Sequence, residues 1–482
     1  MKQQDAYIVI DIGTGNARVA VVQPDGRVIS VARADIRYHK DDLYPDALYF
    51  EPAVLWAQVS SLAKQALAQA PGVHIKAITS TSQREGIVLM DHKGKSMIGL
   101  PNIDHRGREW ENILPDKSRV YQLTGRYPGS LFSAFKLVGI REQRKDVWKK
   151  LAFFLSISDW VLFQLTGVAQ YEYSQASETL LFDVAGKAWS SELTGLFGID
   201  PALLPPLAAS ATIAGTITPK AATALGLPGT AAIVVTGGGD TQLAIKSTRP
   251  FLDDIIIVSG TTTPLVKLVN TYITDRQERT WTSRDIEDKR FVLEANAGVT
   301  GLNFQRLKEI FYPNENYDVI EEELAANNNN DCMASLGSVL ASEKTALTKG
   351  GFIFPAPVTH TLTRSCFVRA TLLDIAFSIA ENYKVLHEVS EHAHEYVWAC
   401  GGGLQSPTLR RYIANAINRE IRVREGAEQS SATGGAFICN QALQIKTSLP
   451  GKVEITAPNG QDNITALYEE WKQARTCFRQ TC

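Results

Sequence analysis

An aspartate stands at the tip of a glycine-rich turn near the start of the chain. The stretch 7–22 reads YIVIDIGTGNARVAVV, in which an apolar run leads to Asp11, a Gly-Thr-Gly turn follows, and a second apolar run completes the unit. Glycine has no Cβ, so backbone N–H groups and hydroxyls in such a turn can closely approach phosphate oxygens. The stretch therefore predicts a strand–turn–strand unit that binds phosphate. Its candidate ligand-binding residues are Gly13, Thr14, Gly15, Asn16 and Arg18.

A second aspartate follows a similar turn in the middle of the chain. The segment 234–244, VVTGGGDTQLA, runs from a strand through three glycines to Asp240 and then into helix-like residues. A carboxylate at this point could accept a proton from a substrate hydroxyl. It could equally cap the N-terminus of the following helix, a position that favours aspartate on structural grounds alone. One aspartate at a helix start could serve both purposes.

Two further glycine turns lie in the second half of the sequence. The segment 255–266, IIIVSGTTTPLV, repeats the strand–turn–strand plan, and the segment 398–423 ends a strand in three glycines before a Ser-Pro helix start. An adenine could lie against that last turn. Each turn alone is more simply an ordinary connection, but four of them, two with an acid, favour phosphate binding. The residues concerned are Gly260, Thr261, Gly402, Gly403 and Ser406.

Composition limits the possible classes of protein. The chain has 482 residues, and single domains usually end near ~250 residues, so we expect two large domains. A formal net charge of −2 predicts no general attraction to nucleic acid or to an anionic membrane. No apolar run approaches the ~20 residues of a membrane span, and the N-terminus lacks a signal-peptide core, which favours a cytoplasmic location. The six cysteines have no metal-ligand spacing, so reduced thiols are expected.

The order of strand-like and helix-like segments predicts an α/β fold. Strand-like runs at 231–236, 254–260 and 395–403 alternate with helical stretches such as 53–70. The segment 247–253, STRPFLD, separates a helix-like run from a new strand. We therefore place the domain boundary there, with a first domain over 1–247 and a second over 248–482.

Taken in order, the four turns resemble the FGGY family of carbohydrate kinases, within the larger group of actin-like ATPases. The segments 156–189, 294–311 and 430–438 also look like family segments, so the similarity covers nearly the whole chain. Two positions depart from the pattern. Gly139 stands where a tryptophan is expected, and Leu373-Asp374 replaces a common Glu-Gly pair. These departures bear on which subgroup the chain resembles more than on its resemblance to the family.

The resemblance implies a fold and a set of roles. It implies two ribonuclease H-like domains around a central cleft, with the sugar site in the first and the nucleotide site in the second. It also implies that ATP and Mg²⁺ are used, that Asp240 is the general base on the sugar hydroxyl, and that Asp11 helps to hold the metal. Residues Gly301 and Gln305, in the familial segment 294–311, are implied in nucleotide binding.

Sugar-binding residues are expected on the wall of the first domain. The segment 80–91, STSQREGIVLMD, resembles the family's Gln-Arg-Glu element, and 99–110, GLPNIDHRGREW, resembles its Asn/Trp-x-Asp-x-Arg element. A strand end with adjacent opposite charges is often only an exposed ion pair, yet carboxylates, amides and guanidinium groups are also what a polyol needs. The candidate sugar-binding residues are Gln83, Arg84, Glu85, Asn102 and Asp104, together with Asp240.

Two short segments indicate the class of substrate. The sequence REGIV followed by NIDHR looks most like the autoinducer-2 kinase and xylulokinase-like branches, whereas glycerol kinases more often have an aromatic residue at Ile103. We expect a small ketose or polyol, similar to xylulose, ribulose or autoinducer-2, as the substrate, and a homodimer is possible. The alternative is a nucleotide- and sugar-binding regulatory protein of the same fold without kinase turnover.

Overall fold

Two mixed β-sheets with related strand orders organise the chain in the computed structural model, which describes residues 4–229, 231–447, 451–460 and 463–480. The strands up to residue 248 are β1 (Gln4–Ile12), β2 (Asn16–Val22), β3 (Val28–Asp35), β4 (His39–Lys40), β5 (Leu48–Tyr49), β6 (Val73–Ser82), β7 (Ile87–Asp91), β8 (Ser96–Leu100), β9 (Leu151–Ser156), β10 (Tyr171–Glu172), β11 (Phe182–Asp183), β12 (Ala188–Trp189), β13 (Leu207–Ala208), β14 (Ile213–Thr216) and β15 (Ile233–Gly239). The α-helices of this half are α1 (Pro52–Ala68), α2 (Lys117–Thr124), α3 (Ser133–Gln143), α4 (Lys145–Trp148), α5 (Ile157–Thr166), α6 (Tyr173–Ala176), α7 (Ser191–Phe197), α8 (Pro219–Leu225) and α9 (Asp240–Thr248).

The second half has its own set of elements. Its strands are β16 (Ile255–Val258), β17 (Thr262–Val269), β18 (Trp281–Arg284), β19 (Phe291–Val299), β20 (Met333–Ser335), β21 (Gly351–Ile353), β22 (Tyr396–Cys400), β23 (Glu420–Arg424) and β24 (Val453–Thr456). Its α-helices are α10 (Gly301–Phe311), α11 (Tyr317–Ala326), α12 (Arg364–Val389), α13 (Pro407–Ile417), α14 (Ser430–Leu443) and α15 (Ile464–Gln480). Short 3₁₀ turns at Arg108–Trp110, Pro201–Leu203, Gly402–Gln405 and Ala427–Gln429 complete the secondary structure of the described residues.

The first sheet has the order β14-β15-β6-β1-β2-β3. Strands β1, β2 and β3 form an antiparallel meander, and β6 and β15 then add in parallel beside β1. Successive residues of β1 face opposite sides of the sheet. Ile8 and Ile10 pack in the cluster with α1 and α5, whereas Tyr7 and Val9 pack in the cluster with α9 and α14. This double burial explains why the apolar run has almost no polar interruption before Asp11.

The second sheet repeats this plan. Its order is β18-β19-β17-β16-β22-β23-β24, in which β16, β17 and β19 form the antiparallel meander and β22 and β23 add in parallel beside β16. The turn between β16 and β17 therefore corresponds to the turn between β1 and β2. The expected α/β fold with two ribonuclease H-like sheets is confirmed. The expected helix at 53–70 is α1, and the expected helix after Ser406 is α13.

Helix α14 lies across the expected domain boundary. It follows β23 in the second half, yet it packs with α9 on the face of the first sheet. Ser431, in its first turn, donates a hydrogen bond to Asp11 on β1. The division of the chain at 247/248 stays a prediction, since this helix belongs to the second half by sequence and to the first sheet by packing.

The structure bears on the expectations about membrane-spanning segments and about the cysteines. Among the described residues, no helix has the length and apolar character that crossing a bilayer requires. The described cysteines are not in disulfides, and four of them are buried: Cys332, Cys366, Cys400 and Cys439. Cys482 lies outside the described residues.

The packing of α14 against α9 generates a stability prediction. A Cβ at Gly434 would lie 1.8 Å from the carbonyl oxygen of Leu243, so Gly434→Ala must push the two helices apart. We expect the thermal unfolding midpoint to fall by roughly 3–10 °C, as for a strained, overpacked core. Gly195→Ala is the matched control, because a Cβ at this helical glycine has no neighbour within 4 Å. It should leave the midpoint unchanged or raise it slightly. Equal midpoints for the two variants would contradict the close helix contact.

Candidate active site

A cleft between the two halves collects most of the residues that the sequence singled out. A cavity of about 240 Å³ is lined by the β1–β2 turn, the start of α9, the β16–β17 turn and the glycines after β22. Four turns that are far apart in sequence thus meet at one place, because the corresponding ends of both sheets face the cleft. The predicted residues in the lining are Asp11, Gly13, Thr14, Gly15, Asn16, Arg18, Arg84, Glu85, Asn102, Asp240, Gly260, Thr261 and Gly402.

Asp11 is anchored through one carboxylate oxygen. It lies at the end of β1, opposite Arg18 on β2, and its Oδ2 accepts hydrogen bonds from Arg18 Nη2 at 2.5 Å and Ser431 Oγ at 2.6 Å. Its Oδ1 is buried and accepts no hydrogen bond from a described residue. A buried carboxylate oxygen without a partner is unfavourable unless a ligand supplies one. The turn therefore holds a fixed carboxylate with one oxygen available.

This arrangement fits magnesium. The described residues contain no group of three or more His, Cys, Asp or Glu side chains that could hold a metal ion. Mg²⁺ commonly keeps several waters and uses only one or two carboxylates together with substrate phosphates. The available Oδ1 of Asp11, beside a turn of phosphate-binding type, meets that requirement.

Asp240 is the first residue of α9 and follows Gly239, which occupies the N-cap position. Its Oδ1 accepts hydrogen bonds from the backbone N–H of Thr241 at 2.7 Å and from the Thr241 hydroxyl at 3.3 Å. Its Oδ2 accepts none from a described residue. Burial raises the pKa of Asp240 to about 6, against the lowering effect of Arg84, while Asp11 raises it further. The carboxylate is thus mostly ionised at neutral pH and close to the range in which a general base works best.

Arg84 joins the two halves of the cleft. Its guanidinium makes two hydrogen bonds to Glu294 on β19, from Nη1 to Oε2 at 2.6 Å and from Nη2 to Oε1 at 3.0 Å. Glu178 Oε1 lies 3.6 Å from Nη1 on the other side. Two carboxylates beside the buried guanidinium raise the pKa of Arg84 against the effect of burial, and Arg84 in turn lowers the pKa of Glu294. Arg84 is therefore always charged, and its guanidinium is held in one orientation.

Glu85 is held in an unusual backbone conformation. Its φ is 61°, in the left-handed region, and its carbonyl oxygen accepts a hydrogen bond from Ser133 Oγ at 3.1 Å. The carboxylate lines the cleft and accepts no hydrogen bond from a described residue. Burial raises the pKa of Glu85, and burial also lowers the pKa of nearby Lys136. A non-glycine residue at positive φ with an unused carboxylate is typical of a site where the protein positions a side chain for a ligand.

Gln83 and Asn102 form a bridge behind these groups. Gln83 Nε2 donates to the carbonyl oxygen of Gly13 at 3.2 Å, and its Oε1 accepts the backbone N–H of Asn102 at 2.9 Å. Asn102 Nδ2 donates to Thr14 Oγ1 at 2.9 Å. Asn102 lines the cleft, whereas Gln83 does not. Gln83 therefore ties the phosphate turn to the sugar-side segment and has no free amide group facing a substrate.

The structure places Asp104 away from the expected contact with a sugar. It is fully buried outside the cleft, where its Oδ2 accepts from Arg106 Nε at 2.8 Å and its Oδ1 accepts from the backbone N–H of Leu48 at 2.9 Å. Both carboxylate oxygens are satisfied within the protein. This geometry argues against the expected contact between Asp104 and a sugar, and indicates that Asp104 holds the 99–110 segment against β5.

The predicted nucleotide residues of the second half divide into two groups. Gly301 and Gly403 permit close packing, since a Cβ would lie 2.0 Å from Gly260 O at the first and 2.3 Å from Ser259 Oγ at the second. Ser406 caps α13 and donates to Glu321 Oε1 at 2.5 Å. Gln305 is exposed on α10 and donates to Glu309 Oε1 at 3.1 Å. These four residues lie outside the cavity lining, so their roles in nucleotide binding stay predictions.

Several cleft residues were absent from the sequence-based candidates. Ser431 and Glu294 lie in segments that resemble the family but have no motif that identifies them as polar site residues. A second buried pair, Arg126 with Glu178, adjoins Arg84, and the Arg126 guanidinium lies 4.7 Å from the ring centre of Trp281. These contacts join residues 52 to 420 positions apart in the sequence, which no local pattern could indicate.

The geometry agrees with what comparison with known proteins shows. The model for the FGGY family of carbohydrate kinases, N-terminal domain, matches residues 6–246, and the C-terminal domain model matches residues 346–443. The chain belongs to the FGGY family of carbohydrate kinases. A "Putative sugar kinase YoaC" from Bacillus subtilis (strain 168) is 50% identical over 480 residues, covering 99% of this chain and 98% of that protein. The chain is thus a sugar kinase of this family.

More distant FGGY relatives are similar to the chain either in sequence over half its length or in fold over nearly all of it. An autoinducer-2 kinase from Klebsiella pneumoniae is 29% identical over 244 residues, which span 49% of this chain and 46% of that kinase. The fold matches a xylulose kinase from Lactobacillus acidophilus with a TM-score of 0.84 at 17% identity, covering 98% of both chains. A glycerol kinase from Plasmodium falciparum, solved with ADP, gives 0.84 at 18% identity, again over 98% of both chains. These structures confirm the two-domain, actin-like ATPase fold.

The Arg84–Glu294 pair generates the prediction for this site. We expect Glu294→Gln to destabilise the protein by about 1–3 kcal/mol, because a buried guanidinium loses a charged partner and Glu178 compensates only in part. Thermal unfolding would measure this loss. Glu309→Gln is the matched control, since it removes an exposed pair with Arg306 at 2.9 Å and should cost at most about 0.5 kcal/mol. A midpoint for Glu294→Gln equal to that of the control would show that the pair does not hold the halves together.

Proposed function

We propose that this FGGY kinase transfers the γ-phosphoryl group of ATP to a terminal hydroxyl of a small ketose or polyol, similar to xylulose, ribulose or autoinducer-2, in the cytoplasm. The observation that carries the proposal is the position of Asp240. Its carboxylate stands at the start of α9 in the cleft, with one oxygen fixed by Thr241 and the other without a partner among the described residues. Phosphoryl transfer needs such a group beside a phosphate-binding turn.

Asp240 would accept the proton of the attacking hydroxyl. The oxygen without a partner is the acceptor, while the hydrogen bonds from Thr241 keep the other oxygen in place. Burial raises the pKa of Asp240 to about 6, while Arg84 and the hydrogen bonds from Thr241 favour the ionised carboxylate. The base is therefore ionised before the reaction. Proton transfer to it becomes favourable as the alcohol acidifies in the transition state.

The two glycine turns would hold the phosphates from opposite sides of the cleft. The β1–β2 turn offers backbone N–H groups with the Thr14 hydroxyl. The β16–β17 turn offers the N–H of Thr261, while Gly260 shapes the turn by donating its own N–H to the carbonyl oxygen of Thr262 at 3.0 Å. Asp11 would hold Mg²⁺ through its available Oδ1 while Arg18 and Ser431 fix the other oxygen. Bound there, Mg²⁺ would neutralise charge on the phosphate oxygens. Since the lining comes from both halves, their approach excludes water and suppresses hydrolysis of ATP without sugar.

The sugar would lie between Asp240 and a second cavity. That cavity, of about 360 Å³, shares Arg84, Glu85 and Asn102 with the cleft and continues to Trp281 and Asn296 of the second half. The unused carboxylate of Glu85 can accept hydrogen bonds from sugar hydroxyls, and the amide of Asn102 can donate or accept. Trp281 supplies an apolar ring of the kind that borders many sugar sites. The kinases named above for xylulose and autoinducer-2 support this substrate class.

Turnover with a substrate panel tests the proposal. Pure protein with ATP and Mg²⁺ would be assayed for ADP release against pentuloses, tetritols, glycerol and the autoinducer-2 precursor. At least one ketose or polyol should accelerate ADP release well above the rate without sugar. If no compound does so although nucleotide and sugar both bind, the binding-only alternative is favoured and the kinase assignment of this chain fails.

Replacing the base gives a sharper prediction. We expect Asp240→Asn to lower kcat by ~10²–10⁴-fold while ATP binding persists, because the amide keeps the shape but cannot accept the proton. With the wild type, kcat should rise with pH through about 6, since the base must lose its proton, and should level off above it. The residual rate of the variant should lack that step. An unchanged turnover in Asp240→Asn, or the same pH step in both proteins, would rule out Asp240 as the base.

The metal role of Asp11 gives a separate prediction. Asp11→Asn keeps the size of the side chain but loses the charge that attracts the cation. We expect the Mg²⁺ concentration for half-maximal activity to rise at least about tenfold, whereas sugar binding measured without nucleotide stays within about twofold of the wild type. Asp42→Asn, at an exposed position outside the cleft, is the control and should change neither value. Superimposable metal titrations for Asp11→Asn and wild type would contradict the role.

A further inference from the structure

A large cavity lies behind the active site, at the connection between the two halves. It has a volume of about 630 Å³ and is lined by the end of α9, the hinge residues Arg249 and Pro250, the β18–β19 loop, and the end of α14. It shares no lining residue with the catalytic cleft. Helix α9 spans nine residues, so its rise of 1.5 Å per residue places the hinge about 13 Å from Asp240. This hinge cavity is therefore a separate space that is joined to the catalytic base by one helix.

Three cations of the hinge cavity have no carboxylate partner among the described residues. Arg249 makes only long hydrogen bonds to Thr447, at 3.4 Å to the carbonyl oxygen and 3.3 Å to Oγ1, and its guanidinium lies 4.4 Å from the ring centre of Phe437. The side chains of Arg290 and Lys446 donate no hydrogen bond to a described residue. Arginine side chains that are partly buried normally find an acceptor. Arg249 and Arg290 are half-buried and line the hinge cavity without a carboxylate partner in the described part of the chain, and Lys446 adds an exposed positive charge at the same cavity.

The acids of the same cavity do not cancel this charge. Glu287 is already paired with Lys246, which also donates to Gln441 Oε1 at 2.9 Å. Asp285 is buried, and its Oδ1 accepts the backbone N–H of Ile286 at 2.8 Å. It faces Arg290 without an ion pair between them. Four cations against two acids leave the lining with a net charge of +2, carried mainly by Arg249, Arg290 and Lys446.

The remaining wall is apolar. Besides Phe437, the cavity is lined by Ile245, Leu268, Ile286 and Ile445. A bare inorganic ion would leave this surface uncovered, whereas an organic anion could place its carbon skeleton against the apolar wall and its charged groups toward the cations. Volume, charge and lining together favour such a ligand.

We propose that the hinge cavity binds a small organic polyanion, a phosphorylated or polycarboxylate metabolite with at least two negative charges, and that this ligand regulates the kinase. The ligand would connect Arg290, on the second sheet, with Arg249 and Lys446, beside α9 and α14 on the first. It would thereby fix the angle between the halves. Since α9 carries Asp240 at its other end, a ligand that holds this helix also affects the position of the base.

Calorimetric titration tests the site without relying on turnover. Citrate and 3-phosphoglycerate are the probes, and acetate is the control for a single charge. We expect at least one of the two polyanions to bind with a Kd below about 1 mM and acetate not to bind. The more tightly bound probe distinguishes a carboxylate-type from a phosphate-type ligand.

Amino-acid substitutions test whether the probes bind in the hinge cavity. Arg290→Gln and Lys446→Gln should each weaken the bound probe at least about tenfold, the usual loss for a charged hydrogen bond. Lys289→Gln is the matched control, because it removes the same charge at an exposed neighbouring position outside the cavity. Arg18→Gln, in the phosphate turn of the cleft, should leave the affinity unchanged. The proposal is overturned if neither polyanion binds at 10 mM, if Arg290→Gln binds like Lys289→Gln, or if only Arg18→Gln loses binding.

Discussion

The bidentate ion pair between Arg84 and Glu294 is the interaction on which the cleft depends. Arg84 follows β6 of the first sheet and Glu294 lies on β19 of the second, so the pair exists only when the two halves approach. A buried guanidinium without a partner would be strongly unfavourable. Glu178 Oε1 lies 3.6 Å from Arg84 Nη1 and belongs to the first half, so it would remain a charged neighbour of Arg84 if the halves separated. The pair can therefore open and close at moderate cost.

Closure through the Arg84–Glu294 pair would affect binding at the proposed sugar site. Arg84 and Glu85 are adjacent in sequence but differ in their partners, since Arg84 is satisfied by two carboxylates while the Glu85 carboxylate has no hydrogen bond from the described residues. A sugar hydroxyl that donates to Glu85 adds an interaction that the protein alone does not make. Binding energy from the sugar can then favour the same arrangement of the halves that brings phosphate and hydroxyl together.

The sequence indicated the fold and the location of the candidate phosphate turns better than the surroundings of the candidate sugar residues. The turns around Asp11 and Gly260 could be predicted because their signal is local, a buried strand followed by glycines and small polar residues. Asp104 looked equally suitable as a ligand for sugar, but its partner Arg106 is two residues away and its second partner, the Leu48 backbone, comes from a distant strand. Nothing in the spacing of these residues shows that both oxygens of Asp104 are used internally. Glu294 could not be found for the converse reason, since its role depends on a contact 210 residues away.

The carboxylate at the tip of the first turn is positioned in part by the packing of α14. This helix comes from the second half, yet Ser431 in its first turn donates to Asp11, and Gly434 lies directly against α9. The same helix ends at the hinge cavity beside Arg249. One helix thus contacts the carboxylate at the phosphate turn, the helix that carries Asp240, and the connection between the halves. Because α14 packs on the first sheet with α9, it moves together with Asp11 and α9 when the angle between the halves changes, since close-packed helices shift as units rather than deform. The two aspartates are consequently positioned by the same helix, so the proposed metal binding at Asp11 and the proposed proton transfer at Asp240 depend on one rigid framework.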